Sequence, residues 1–157
     1  MTAERAGTAG PPSIESDNVV RWIRKHHDDG PTSDDLIHAF QGFRGTLELV
    51  EEAKSALAAA APRRRTPGVP LAQALAEFEQ GLARASASMR RWRLPVVDEP
   101  WAGCWSALGE SAQRAEALRL GDAPGGYEEL YRTLADLMEP LDHAFETALH
   151  RFRELGF

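Results

Sequence analysis

LIHAFQGFRGTLELVEEAKSALAAAA (residues 36–61) decides the fold class of this chain. Its apolar side chains recur at alternating spacings of four and three residues, which is the heptad pattern of a helix packed along another helix. Lys54 is the one polar position in this pattern, and it could pair with an acid or extend to solvent with its stem packed. The stripe consists of Leu36, Phe40, Phe43, Leu47, Val50, Lys54, Leu57 and Ala61.

Three further helices follow a proline-rich break at residues 61–70. One has a heptad stripe over 71–92, the next begins near Trp101, and the last runs from about Tyr127 to Leu155. No alternation of polar and apolar residues predicts a strand. Because short connections favour antiparallel neighbours, we predict an all-α fold, an elongated antiparallel up-down four-helix bundle. The apolar stripe of the last helix is the widest, which predicts that this helix is the most enclosed.

The N-terminal residues predict two further features. Residues 1–13 are small, polar and rich in Pro and Gly, and we expect a flexible tail there. Val19, Val20 and Ile23 then predict an additional short N-terminal helix that ends at DDGP, residues 28–31. We therefore expect one helical-bundle domain over residues 14–157, whose next helix is capped by Thr32 or Ser33.

Composition excludes several classes of protein. The 157 residues are 43% hydrophobic and 27% charged, as in ordinary globular domains. A net charge of −6 argues against a general nucleic-acid binder, and a single cysteine excludes an internal disulfide framework. The sequence contains no apolar run long enough for a membrane span and no apolar core of a signal peptide. We therefore expect a cytoplasmic bacterial protein without a membrane association.

RRWRLPVVDEPWAGCWSALG (residues 90–109) contains three of the four tryptophans and the one cysteine. In the predicted bundle, Trp92, Trp101, Cys104 and Trp105 meet at one end, where large aromatic side chains fill the space between helices. This end is either core packing, a partner-binding surface or a small-ligand pocket. No histidine stands at a recognisable spacing from Cys104, so we expect an inert, half-buried thiol.

Arg63, Arg64 and Arg65 form a separate cluster of cations between prolines. We expect them to be exposed, and an acidic region of a partner could bind them. The sequence gives no other reason to expect a phosphate site, because acidic residues accompany the remaining basic clusters.

His143, Glu146 and His150 share one side of the last helix at spacings of three and four residues. Such a set could hold a metal ion. Both histidines fall outside the core stripe, however, so surface ion pairs are the simpler interpretation. We accordingly predict no metal and no cofactor.

In the stretch RWIRKHHDD (residues 21–29), four residues separate Arg21 from His26, and five separate Arg21 from His27. This stretch of nine residues resembles the Arg-x4–6-His motif of HEPN-type RNases, which are helical proteins. The resemblance implies RNA cleavage at a dimer interface, with Arg21 and His26 or His27 as catalytic residues.

Other catalytic signatures do not occur in the sequence: it has no Gly-rich phosphate loop and no Gly-x-Ser-x-Gly elbow. We therefore expect a non-enzymatic helical interaction module, an accessory or adaptor subunit of a bacterial protein complex. Its partner is another protein, and leftover apolar surface could also support a homodimer. The alternatives are the RNase and a helical bundle that binds a small ligand near Trp101 and Trp105.

Overall fold

The computed structural model describes residues 32–157, and this part of the chain is all-α, as predicted. Its helices are α1 (Ser33–Ala58), α2 (Leu71–Ser88), α3 (Asp98–Leu120) and α4 (Tyr127–Glu154), with short 3-10 helices at Met89–Trp92 and Pro95–Val97. The described residues contain no strand, only an isolated bridge between Arg63 and Thr66. The predicted tail and the short N-terminal helix lie outside the described residues and stay predictions.

The ends of α1 follow from its sequence. Thr32 is the N-cap, as expected, because its hydroxyl oxygen accepts the Asp35 backbone N–H at 3.1 Å. Acidic residues in the first turn add a favourable interaction with the helix dipole. After the helix ends, the loop folds back so closely that a Cβ atom on Gly68 would lie 2.1 Å from the Ala60 carbonyl oxygen. Only glycine fits at position 68, because any side chain would overlap the Ala60 carbonyl group.

The helices contact one another in a regular order. Contacts join α1 to α2 (Thr46–Ser88 and Ala53–Gly81), α2 to α3 (Glu79–Arg119), α3 to α4 (Cys104–Ala144 and Ser111–Leu137) and α1 to α4 (Phe43–Phe152 and Lys54–Asp142).

Small residues bring α1 close to α2 and to the 3-10 helix that follows it. A Cβ atom added to Gly81 would lie 2.6 Å from the Ala53 Cβ, and one added to Gly42 would lie 2.8 Å from the Arg91 carbonyl oxygen. Between these points the hydroxyl groups of Thr46 and Ser88 form a buried hydrogen bond of 2.5 Å. Each polar group in this tight contact is therefore satisfied.

An aromatic cluster fills the core at the end of the molecule where α1 begins. Phe43 lies at its centre, with ring centroids 5.0 Å from Trp92, 5.1 Å from Phe152 and 6.1 Å from Phe145. All four side chains are buried. Aromatic pairs at these separations add to the stability that burial alone provides.

The core side of α1 differs from the predicted stripe. Phe43, Val50 and Leu57 are buried as expected, but Phe40 and Leu47 are only partly buried. The small residues Ala39, Thr46 and Ala53 are buried instead, and Thr46 and Ala53 contact α2. The close approach of α1 and α2 explains this shift, because a large side chain has no room there.

The prediction that the last helix is the most enclosed was wrong. Tyr127 and Tyr131 at the start of α4 are 70% and 48% exposed. Seven of the 18 residues of α2 are buried, compared with six of the 28 residues of α4. Tyrosine can occupy such a position because its ring is apolar and its hydroxyl group is polar.

Pro140 interrupts the backbone hydrogen bonds within α4, and α3 compensates for this. Proline has no N–H, so the Asp136 carbonyl loses its usual helical donor. The Arg114 guanidinium donates to that oxygen at 3.4 Å, and the buried Ser111 hydroxyl donates to the next carbonyl, that of Leu137, at 2.9 Å. Side chains of α3 thus stabilise the backbone of α4 where its own ladder is broken.

Candidate functional site

Trp101 and Trp105 form a stacked pair near the start of α3. Their ring centroids lie 5.6 Å apart and the ring planes differ by 6°. The indole N–H of the buried Trp101 donates to the Met89 carbonyl oxygen at 2.7 Å, and the Arg93 guanidinium lies 4.3 Å from the Trp101 ring centroid. Trp105 leaves 50% of its surface exposed. A firmly held, half-exposed tryptophan therefore lies on α3.

Trp92 lies in the core and not on the surface. Its side chain is fully buried, and its ring meets Phe43 nearly at a right angle, at 77°. The indole N–H finds no hydrogen-bond acceptor in the part of the chain that the structure describes. A fully buried side chain cannot touch a partner, so core packing is the only one of the roles considered for Trp92 that fits its burial.

Cys104 is completely buried instead of half-buried. It faces α4, where its thiol donates to the Ala144 carbonyl oxygen at 3.4 Å. Burial raises the pKa of the Cys104 thiol to about 12, because an apolar environment disfavours the thiolate. The thiol therefore stays protonated near neutral pH, which does not fit a reactive or partner-binding cysteine.

The Cys104 pKa makes the stability of the fold depend on pH in the alkaline range. Between the usual cysteine pKa and about 12, the folded chain keeps a proton that the unfolded chain has released. The unfolding free energy should therefore fall as pH rises above about 8.5, by up to about 1.4 kcal/mol per pH unit. Urea denaturation at several pH values measures this slope.

Cys104→Ala is the matched control for that slope, since alanine does not titrate. We expect the slope of the variant to be shallower than that of the natural chain by up to about 1.4 kcal/mol per pH unit. Equal slopes for the two proteins would contradict the raised pKa. Comparing slopes removes the constant cost of the missing sulfur atom.

Arg63, Arg64 and Arg65 occupy the loop between α1 and α2 and are exposed, as expected. The backbone groups of Arg63 and Thr66 exchange hydrogen bonds of 2.8 and 3.0 Å, which close a tight turn. The Tyr131 hydroxyl donates to the carbonyl oxygen of Pro62 at 3.0 Å. The three arginines thus extend from a loop that is attached to α4, and their acidic partner stays a prediction.

The metal site considered for α4 is not assembled. Within residues 32–157, no group of three or more His, Cys, Asp or Glu side chains is arranged to hold a metal ion. His143, Glu146 and His150 are exposed, and the Nε2 atom of His150 lies 3.4 Å from the Glu154 carboxylate. All three are therefore surface side chains of α4, and the absence of a metal there stays a prediction.

A groove of about 870 Å³ runs along the seam between α3 and α4. The small residues that line it are Gly103, Ser106, Ala107 and Ala144, and neither Trp101 nor Trp105 lines it. Its size suits a small organic molecule. The ionisable residues that line it are Glu99, Glu110, His143, His150, Arg151 and Glu154.

The sequence did not indicate this groove. Its lining residues come from the 3-10 helix at 95–97 and from two helices that are separated by a loop. The available signal was the presence of small residues at helical spacing, Gly103 and Ala107 on α3, together with Pro140 and Ala144 on α4. Small residues in a helix do not by themselves distinguish a groove from close helix packing.

Comparison with family models, with curated proteins and with solved structures finds no match for this chain. None of the helices within residues 32–157 combines the length and the apolar character needed to cross a bilayer. Arg21, His26 and His27, which resemble the RNase motif, lie outside the described residues. Their role stays a prediction.

Proposed function

We propose that this protein is a non-enzymatic helical interaction module, an accessory or adaptor subunit of a cytoplasmic bacterial complex. Its partner is another protein that contacts the exposed face of Trp105. The observation that carries the proposal is the half-exposed Trp105 ring, stacked on a buried Trp101.

The geometry around Trp105 favours binding because the ring is already held in place. Tryptophan, tyrosine and arginine are the side chains most enriched among residues that dominate binding energy at interfaces. Trp101 supports the ring from one side, and its hydrogen bond to Met89 and its contact with Arg93 restrain Trp101 in turn. A restrained side chain loses little conformational entropy when a partner binds.

The proposal includes the arrangement of the helices as a single antiparallel up-down four-helix bundle, with an additional short helix before α1 and a domain that spans residues 14–157. The opposite numbering of contacting residues along neighbouring helices supports this arrangement. In such a bundle, one end of α3 presents Trp105 on a rigid element.

Trp105→Ala should weaken partner binding by about 2 kcal/mol, which corresponds to roughly 30-fold in the dissociation constant. The test is an affinity pull-down from host lysate with quantitative mass spectrometry, followed by titration of the captured protein. A protein that is bound stoichiometrically by the natural chain should be depleted with the variant.

Tyr127→Ala provides the control, because Tyr127 is an exposed aromatic residue on a different helix. Its pull-down should match that of the natural chain. A partner that binds the Trp105 and Tyr127 variants equally well would reject Trp105 as the contact. A natural chain that captures no stoichiometric protein would reject the interaction module itself.

A second candidate function, the binding of a small apolar ligand, is favoured by the volume of the α3–α4 groove. Gly103 lines this groove, and a Cβ atom added there would meet nothing within 4 Å. Gly103→Leu should therefore fill the groove without disturbing the fold, and it should abolish the binding of Nile red, a neutral apolar dye. Gly109→Leu, at an equally open position of α3 outside the groove, should leave dye binding unchanged.

A further inference from the structure

A second groove, of about 370 Å³, lies along the seam between α1 and α4. Its apolar lining consists of Leu47, Val50, Leu141, Phe145 and Leu149. Leu47 and Leu149 are only partly buried, so the lining still presents apolar surface. Covering apolar surface is favourable, at about 25 cal/mol for each Å² removed from water. This seam thus offers a docking surface for an amphipathic segment.

The polar residues that line the seam carry an excess of negative charge. They are three acids, Glu51, Asp142 and Glu146, and one cation, Lys54. Burial lowers the pKa of Lys54, but hydrogen bonds from its ammonium group to Asp142 and Glu51 outweigh this effect, and the pKa is raised overall. Lys54 is therefore charged and engaged with two of the acids. An occupant that supplies cations would complement the remaining negative charge.

Residues 17–27 of this chain, DNVVRWIRKHH, have the matching chemistry. The segment contains three aliphatic residues, Val19, Val20 and Ile23. It also contains three cations, Arg21, Arg24 and Lys25. We propose that residues 17–27 dock on the α1–α4 seam, with aliphatic side chains toward Leu47 and Leu149 and cations toward the acidic rim.

The length of the connection permits this placement. The segment joins α1 through residues 28–31, and four extended residues span about 13 Å. If residues 17–27 form the helix that the sequence predicts, they add about 16 Å, for a total of about 29 Å from Thr32. Because α1 rises by about 1.5 Å per residue, a distance of about 29 Å from Thr32 extends roughly to the level of Glu51. The segment can therefore cover the seam from Phe40 to the middle of the groove.

A second copy of the chain fits the seam less well. Two identical acidic rims would face each other in a symmetric dimer, and like charges in contact oppose association. The chain's own segment is also present at a high effective concentration because it is tethered to α1. The inference does not depend on the partner proposed for Trp105, which lies on α3.

Site-specific photo-crosslinking in the full-length chain tests the inference. Trp22 is replaced by benzoylphenylalanine, and the product of irradiation is mapped by mass spectrometry. We expect a crosslink within one chain to a residue of α1 between 37 and 54 or of α4 between 138 and 153. A crosslink to α2 or α3, a crosslink between two chains, or no crosslink would each overturn the inference.

Charge reversal supplies the second measurement. Glu146→Lys should reduce the yield of the crosslink several-fold, because it places a cation against those of the segment. Glu116→Lys is the matched control on α3, and it should leave the yield unchanged. Circular dichroism of both variants confirms that the helices remain folded. Equal yields in the two variants would overturn the proposed charge contact.

Discussion

Replacing Trp92 by alanine should lower the unfolding free energy by about 4 kcal/mol, the largest effect expected for a single side chain here. The ring is fully buried and contacts Phe43 and Phe152, with centroids 5.0 and 6.0 Å away. Truncation removes apolar burial and leaves a cavity between α1, α4 and the 3-10 helix that follows α2. Urea denaturation followed by circular dichroism measures the change.

Trp105→Ala is the comparison for Trp92→Ala, because the two side chains differ mainly in burial. Because Trp105 is half-exposed, Trp105→Ala should lower the unfolding free energy by no more than about 1 kcal/mol. If the Trp92 variant were no less stable than the Trp105 variant, the assignment of Trp92 to the core would be wrong. Should Trp92→Ala fail to fold, the milder Trp92→Phe keeps the test measurable.

Gly81→Leu should lower the unfolding free energy by about 3 kcal/mol, because the added side chain must push α1 and α2 apart. A single Cβ atom at Gly81 would already lie 2.6 Å from the Ala53 Cβ, well inside normal contact distance. Helix propensity alone predicts the opposite, since leucine is favoured over glycine by up to about 1 kcal/mol. The sign of the change, measured by urea denaturation, therefore shows which effect dominates.

Two further variants separate the effect of packing at Gly81 from that of helix propensity. Gly109→Leu, at an open position of α3, should be neutral or stabilising by up to about 1 kcal/mol. Ala53→Gly, added to Gly81→Leu, should restore part of the lost stability, because it removes the atom that the new Cβ meets. A stabilised Gly81→Leu protein would contradict the close contact of α1 and α2.

Much of the fold class was predictable because helix periodicity is a local property. The heptad spacing placed Phe43, Val50 and Leu57 in the core, and the structure agrees. The same spacing predicted that Phe40 and Leu47 are core residues too, although they are only partly buried at the edge of the core. Periodicity locates the apolar side of a helix within about one residue. It does not show at which small residues a neighbouring helix approaches closely.

The candidate sites were predicted less well because they depend on contacts between distant residues. The sequence indicated a tryptophan-rich region, but only the packing of α3 distinguishes the buried Trp92 from the exposed Trp105. Cys104 and Trp105 are adjacent in sequence, yet one faces α4 and the other solvent. The α3–α4 groove has no counterpart in any continuous stretch of sequence.

By itself, the sequence determined the all-α class, the presence of the four helices within residues 32–157 and a helix cap at Thr32 or Ser33. These features follow from hydrophobic spacing, from proline and glycine at the breaks, and from a hydroxyl group at a helix start. The tertiary structure alone decided which tryptophan is exposed, how closely α1 approaches α2 at Gly81, and where the two grooves lie. Each of these depends on steric fit between residues far apart in the chain, which local spacing does not encode.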